Sequence, residues 1–248
     1  MTLRYTWIEF LRQLRNPGVL IFTLLLPGTM TVIFGTAFDY GSAPSGHGNV
    51  NMYIMLGMAA YGAMMATNGI GGQAALEQMQ GWGRQLALTP TPAWAVIATK
   101  AVVAMVFAFG TVLVIFGLGV LIDAEAPWWV WLQSGLIVWL GSGIFALFGL
   151  ALGLLFRSEA AMGISAGGLV LLGFLGNMFM PLSGFMLSVA RWTPLYGYVA
   201  LARWPLIEGR DPSGEHDPLW QLILNMGLWG LLFAVVAVWG VVRSRERQ

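Results

Sequence analysis

The amino-acid sequence predicts an all-α integral membrane protein with six transmembrane helices. Of its 248 residues, 58% are hydrophobic and only 9% are charged, whereas about 25% of the residues of a soluble domain are charged. Each of six stretches lacks charged residues and exceeds the ~20 residues that a helix needs to cross a bilayer. The stretches are residues 16–38, 40–76, 101–122, 126–156, 160–190 and 218–242. Runs such as 19–26 are apolar throughout, unlike the alternating strands of a membrane β-barrel.

The elements follow from these stretches in chain order. Residues 1–16 carry apolar side chains at helical spacing with arginines between them, which predicts an amphipathic helix on the inner leaflet. Pro27 is expected to kink the first span. The six spans are expected at about 18–38, 52–75, 93–122, 128–156, 160–180 and 219–242.

The segment between the last two spans, residues 181–218, is long but still apolar, so it should not lie freely in water. We expect two short helices at or dipping into the outer face of the bilayer, and we call residues 181–218 the outer segment. Arg191 and Arg203 should reach outward to lipid headgroups or pair with acids such as Glu208. Three prolines are expected to divide the segment: Pro181, Pro194 and Pro205.

The basic residues predict the orientation of the chain. Six spans would place both termini on one side, together with nine of the 12 basic residues, which favours a cytoplasmic location for both termini in a cell membrane. Because the arginines flank helix ends, the net charge of +1 says nothing about nucleic acid. We expect membrane lipids, and no nucleic acid, among the partners. The sequence has no cysteine, which excludes disulfides and thiolate metal sites.

The chain carries no sign of its own energy source. The predicted span interiors have no ionisable residue of the kind that couples transport to protons or sodium. The sole lysine, Lys100, does not belong to a G-x-x-x-x-G-K-[ST] phosphate loop. We therefore expect no catalytic activity and no cofactor in this chain, with ATP and magnesium bound by a separate ATPase subunit.

Ser165 supports an alternative hypothesis, a six-span intramembrane serine protease. It lies in a G-x-S-x-G pattern between Gly163 and Gly167. A nucleophilic serine needs a nearby base, and the two histidines, His47 and His216, are predicted in outer loops. The same glycines fit the G-x-x-x-G pattern of packed membrane helices. A non-catalytic membrane scaffold is a further alternative.

Short motifs along the chain together resemble one known family. Arg15-Asn16-Pro17 precedes the first span, Thr89-Pro90 follows in the inner loop, and Pro181-Leu182-Ser183-Gly184 and Pro194-Leu195 lie in the outer segment. In this order the motifs resemble the type-2 exporter permeases of the ATP-binding cassette (ABC) transporters. The resemblance covers essentially residues 1–248 and is strongest to the small six-span permeases of bacterial drug-resistance and antibiotic exporters.

The resemblance implies a function as the membrane half of an ATP-driven exporter of a hydrophobic or amphipathic compound. Two permeases, as a homodimer or heterodimer, would assemble with two ABC ATPase subunits in a bacterial cell membrane. Residues 77–92 would form a coupling loop that docks on the ATPase, although Gly81-Trp82 departs from the usual Gly-Thr pair. The coupling candidates are Glu77, Met79, Gly81, Trp82, Arg84 and Leu86.

Polar and soft side chains in the spans are candidates for lining a transport pathway. Amides within spans also form interhelical hydrogen bonds, and methionines also pack as flexible core residues, so both interpretations stand. The pathway candidates are Asn68, Asn177, Met178, Met180 and Asn225. The outer segment would close the exit, and its gate candidates are Pro181, Gly184, Phe185, Pro194 and Arg203.

Overall fold

A computed structural model describes residues 3–37, 40–80, 93–156, 160–179, 181–210 and 214–245, which are mostly helical. Helix α1 spans Leu3–Leu14. The first span follows in three parts: α2 (Pro17–Leu20), a π-helical turn (Ile21–Leu25) and α3 (Leu26–Thr36). The remaining helices are α4 (Val50–Met79), α5 (Ala93–Leu121), α6 (Trp128–Gly141), α7 (Gly143–Phe156), α8 (Ala160–Leu175), α9 (Gly184–Ala190), α10 (Pro194–Ile207) and α11 (Leu219–Arg245).

The first span begins sharply because Asn16 caps it. The Asn16 side chain accepts hydrogen bonds from the amides of Gly18 and Val19 at 3.1 and 3.4 Å, and Pro17 occupies the first helical turn, where its missing N–H is not needed. The irregularity expected at Pro27 takes the form of the π-helical turn directly before it. Such turns adjust the hydrogen-bond register of a helix.

Five helical stretches are long and apolar enough to cross a membrane: Pro17–Thr36, Val50–Glu77, Ala98–Leu121, Trp128–Phe156 and Leu219–Arg243. They correspond to the first four and the last of the six predicted spans. The predicted fifth span is a shorter apolar helix over Gly163–Leu175, so a sixth crossing stays a prediction. A two-stranded antiparallel hairpin in the first outer loop, Pro44–Ser45 with Gly48–Asn49, was not predicted.

Helix α4 forms the centre of the bundle. In its apolar window 89% of the residues are buried, against 17% in that of Leu219–Arg243. Glycines permit this close packing: a side chain at Gly71 would overlap the carbonyl of Ala146, and one at Gly149 would overlap the carbonyl of Asn68. Small residues at helix contacts are typical of membrane proteins. The backbones of α4 and α7 therefore lie in direct contact.

Helix α1 lies with its polar side against the bundle. Glu9 and Gln13 are buried, whereas Trp7 and Ile8 are exposed. The helix itself agrees with the predicted position, and Phe10 packs with Phe107 of α5. Contact of its outward apolar side chains with the inner leaflet stays a prediction.

The outer segment contains two short helices, α9 and α10, near the predicted positions. The expectation that Pro205 divides this segment is wrong, because Pro205 lies inside α10. The helix continues for two more residues and ends at Glu208, whose φ of 51° is left-handed and whose amide donates to the carbonyl of Trp204. A proline this close to a helix end removes one hydrogen bond without stopping the last turn.

Candidate functional site

Four charged side chains meet at one end of the bundle, and we call Glu9, Arg12, Glu77 and Lys100 the inner cluster. Lys100 Nζ of α5 lies 2.6 Å from Glu9 Oε1 of α1 and 2.7 Å from Glu77 Oε1 of α4. The side chains of Lys100 and Glu9 are only 7% and 6% exposed. Two cations and two carboxylates balance in charge, as buried ionised groups require.

Within the inner cluster Arg12 contacts both carboxylates, and the side-chain amides of Gln13 and Gln73 lie beside it. Arg12 Nη2 contacts Glu9 Oε1 at 2.7 Å and Glu77 Oε1 at 2.5 Å. Burial opposes the charged form of Arg12, but the hydrogen bond to Glu77 and the charges of both carboxylates outweigh it and raise the pKa of Arg12. Gln13 Nε2 donates to Gln73 Oε1 at 2.6 Å, which adds a second link between α1 and α4.

The inner cluster holds α4 and α5, the two helices that flank the predicted coupling loop, against α1. Glu77 stands where α4 leaves the bundle, and Lys100 stands in the first turns of α5 after the loop. Sequence reasoning proposed Glu77 but missed Glu9 and Lys100. One feature of the sequence could have pointed to both residues, because Glu9 is the one acidic residue before Asp39 and Lys100 is the one lysine. Gly81, Trp82, Arg84, Leu86 and the side chain of Met79 lie outside the described residues.

A cavity of about 240 Å³ opens beside the inner cluster, between the start of the first span, α4, α7 and α8. Asn68 and Ser165 face each other on its wall, and Ser165 Oγ donates to Asn68 Oδ1 at 2.7 Å. Gln73 also lines the cavity. Asn68 thus makes an interhelical hydrogen bond, one of the two interpretations made from the sequence. A role for Asn68 in lining a transport pathway stays a prediction.

Arg203 of α10 is buried, with 3% exposure. Its guanidinium donates to the carbonyls of Asn177 and Met178 at 2.7 and 3.1 Å and to the hydroxyl of Tyr53 at 3.0 Å. Its central carbon also lies 3.7 Å from the centre of the Tyr53 ring, a cation–π contact. The expectation that Arg203 reaches outward is therefore wrong, because backbone carbonyls at the end of α8 satisfy it inside.

Ion pairs connect the loops at the opposite end of the bundle. Arg191 pairs with Glu215 at 2.8 Å and with Asp217 at 2.9 Å, as expected for an arginine beside acids. Glu208 pairs with His47 at 2.9 Å and not with an arginine, and its hydrogen bond to His47 and the charge of His47 lower the pKa of Glu208. The residues assigned by sequence to the two sides of the membrane thus form separate clusters.

The other pathway and gate candidates occupy varied positions. Asn225 donates to the carbonyl of Arg191 at 2.9 Å, and the Asn177 side chain accepts from the amide of Leu182 at 2.8 Å. Met178 is buried in the core, and Met180 lies outside the described residues. Of the gate candidates, Pro194 is buried, Pro181 and Gly184 are exposed, and Phe185 is 81% exposed.

The surroundings of Ser165 do not resemble those of an activated nucleophile. Its hydroxyl donates to a carboxamide, which is not a general base. His47 instead pairs with Glu208 and contacts the Trp129 ring in the first turn of α6. The contacts of Ser165 fit a helix-packing and cavity-lining role.

The five long apolar helices fit a multi-pass membrane protein, and comparison with known proteins indicates which class it belongs to. The sequence model of the ABC-2 type transporter family matches residues 2–206. The chain is 28% identical over 238 residues to a protein of Bacillus subtilis (strain 168) described as "Putative transport permease YvfS", with 92% of each chain covered. No solved structure matches the chain significantly.

The chain therefore belongs to the ABC-2 type transporter family. This confirms the resemblance drawn from the sequence motifs. It defines the protein as the membrane component of an ABC transporter.

Proposed function

We propose that this permease exports a hydrophobic or amphipathic compound, driven by ATP that a separate ABC ATPase subunit hydrolyses. The observation that carries the proposal is the inner cluster. It ties α1 to both ends of the coupling loop through Glu9, Glu77 and Lys100. A force applied to the loop by an ATPase would pass directly to α4, the central helix, and to α5. Glu77 thus supports the loop from the permease side.

A second permease completes the proposed transporter. Gly163 and Gly167 of α8 are exposed, and a Cβ at either position would meet no atom of another described part of the chain within 4 Å. Their G-x-x-x-G spacing suits a close helix contact. A neighbouring copy or a related permease is the partner that we infer, with the transport pathway between the two chains and lipid around them.

The outer segment is proposed to close the exit of this pathway. Arg203 fixes α10 to α4 and to the end of α8, while Phe185 and Trp192 project outward with 81% exposure each. Such apolar side chains suit contact with a neighbouring permease or the bilayer edge, where irregular backbone must be covered by protein. Pro181 and Gly184 give the turn between α8 and α9 its shape.

A co-purification experiment tests the coupling proposal. The purified permease alone should hydrolyse no ATP, and a nucleotide-binding subunit should co-purify with it from native membranes. Replacing Met79 and Trp82 by aspartate should abolish transport and weaken assembly, because a charge buried without a partner at an interface costs about 3–5 kcal/mol. Gln80→Asp, at an exposed position, is the matched control. A doubly substituted permease that still assembles and transports normally would show that the loop is not the coupling element.

Reporter fusions test the orientation. A reporter that is active only in the cytoplasm should work at Arg84, Glu159 and Gln248 and fail at His47, Glu125 and Gly214, because basic residues are retained inside. Expression of each fusion is checked by immunoblot. Cytoplasmic activity at Gly214 would mean that Leu219–Arg243 does not cross the membrane, and the six-span topology would then be wrong.

The scaffold and protease alternatives make different predictions. A scaffold would assemble with partners without any ATP-dependent movement of a compound. A protease would lose its activity in Ser165→Ala, whereas the permease proposal expects export to persist at a reduced level.

A further inference from the structure

We propose that the cavity between the first span, α4, α7 and α8 binds the neutral, hydrogen-bonding head of an amphipathic compound. The assignment of this compound as the transported substrate rests on the proposed function, whereas binding itself does not. The cavity lies within one chain and has a volume of about 240 Å³. It is therefore distinct from a pathway formed between two permeases.

A buried polar pair gives the cavity a recognition element. Asn68 and Ser165 are 4% and 3% exposed, lie on different helices, and are joined by a hydrogen bond of 2.7 Å. An amide and a hydroxyl both donate and accept hydrogen bonds. A carbonyl, hydroxyl or carboxamide group of a ligand can therefore join this pair without leaving a polar group unsatisfied.

The rest of the lining selects for an uncharged ligand. None of the described residues that line the cavity is charged, and its apolar wall includes Val19, Phe22 and Met65. Burying an ionised group without a counter-charge is strongly unfavourable. The charges of the neighbouring inner cluster already neutralise one another. A neutral head group is thus preferred over an ammonium or a carboxylate.

The free space in the cavity has a defined location. A side chain at Gly69 would meet no atom within 4 Å, although Gly69 lies on the central helix. On the facing wall, in contrast, a side chain at Gly149 would overlap the backbone of Asn68. Gly69 therefore marks the open part of the cavity, which a larger residue would fill without displacing the helices.

The size of the cavity limits what it holds. Sites for drug-sized ligands enclose about 300–1,000 Å³, so this cavity suits the head of a larger amphiphile. Phe22 on its wall is 51% exposed and faces outward from the bundle. The apolar tail would leave on that side, towards the bilayer. Gln73 also lines the cavity and accepts a hydrogen bond from Gln13, which connects the cavity to the inner cluster.

Thiol labelling of the full chain in lipid nanodiscs tests the proposal. The natural sequence has no cysteine, so Ser165→Cys supplies a single thiol for reaction with methyl methanethiosulfonate. The competing probes are octanamide, octanoate and octylammonium, which share a tail and differ in head charge. Octanamide should protect the thiol from reaction. The two charged probes should bind at least about tenfold more weakly than octanamide.

Two cysteine controls and three glycine substitutions complete the design. Ser188→Cys, at an exposed position on α9, should react without protection by any probe. Ser134→Cys, fully buried on α6 away from the cavity, should stay unreactive.

Adding Gly69→Leu to Ser165→Cys should remove both the reaction and the protection. Gly69→Ala should reduce them in part, and Gly117→Ala, another glycine with free space around it, should change neither.

Equal protection by all three probes, protection by none, or an unreactive Cys at position 165 would each overturn the proposal. The measurement uses neither ATP nor an ATPase. Failure of the coupling proposal would therefore leave the labelling result intact, and failure of labelling would leave the co-purification result intact.

Discussion

Lys100→Met is expected to lower the free energy of unfolding by about 3–5 kcal/mol, because breaking a buried ion pair leaves its partner charge uncompensated. Lys100 Nζ lies within 2.7 Å of carboxylate oxygens from Glu9 and Glu77. Without it, two carboxylates on different helices would share only Arg12, whose side chain is 46% exposed. Methionine keeps an unbranched apolar side chain of similar length and removes the ammonium with its charge and its hydrogen-bond donors.

A second substitution separates charge from packing in this prediction. Glu9→Gln added to Lys100→Met removes the more deeply buried carboxylate, so most of the lost stability should return. Arg4→Met is the matched control, because Arg4 is an exposed cation on the same helix as Glu9. Unfolding by denaturant in detergent, followed by tryptophan fluorescence, measures the free energies. A Lys100→Met chain as stable as Arg4→Met would contradict the structural role of the inner cluster.

The same double variant addresses coupling. It should fold but hold α5 less firmly, since α1 would no longer be tied to α5 by charge and only the Arg12–Glu77 pair would still tie it to α4. In the complex with its ATPase we expect more ATP hydrolysed per transported molecule. Unchanged coupling in a stable double variant would show that the inner cluster serves stability alone.

The spans were largely predictable because the bilayer excludes charge over a fixed thickness. That rule cannot distinguish a crossing helix from a helix that ends early. Residues 160–190 lack charge throughout, yet they contain two helices: α8, which ends at Leu175, and the whole of α9. Asn177, with a φ of 59°, turns the chain at this point. Between residue 160 and Pro181 the sequence has no proline that would indicate such a turn.

The clusters were harder to predict than the helices. Glu9 and Lys100 are separated by 91 residues, and the sequence indicates only that both lie at the same side of the membrane. For Arg203 the general rule that arginines extend to headgroups failed. The acceptors of Arg203 are backbone carbonyls, which every residue has and which sequence patterns therefore cannot reveal.

Arg203→Met is the second substitution with a large expected effect. We expect it to lower the free energy of unfolding by about 3–5 kcal/mol, because each buried acceptor left unsatisfied costs ~1–3 kcal/mol. The carbonyls of Asn177 and Met178 would lose their donors. No carboxylate pairs with Arg203 among the described residues, so the loss cannot be attributed to a stranded negative charge. Arg203→Lys should recover only part of the stability, because an ammonium lacks the planar fork of five donors.

Graded variants and a local probe make this prediction specific. Tyr53→Phe should cost about 1 kcal/mol, because it removes one hydrogen bond and keeps the ring under the guanidinium. Arg210→Met, at an exposed arginine three residues beyond α10, should have little effect. Met178→Cys places a single thiol at a position that is 2% exposed. The thiol should be unreactive with Arg203 present and reactive in Arg203→Met, because the end of α8 would no longer be held to α10. A thiol that stays protected in that variant would show that packing alone closes the outer face.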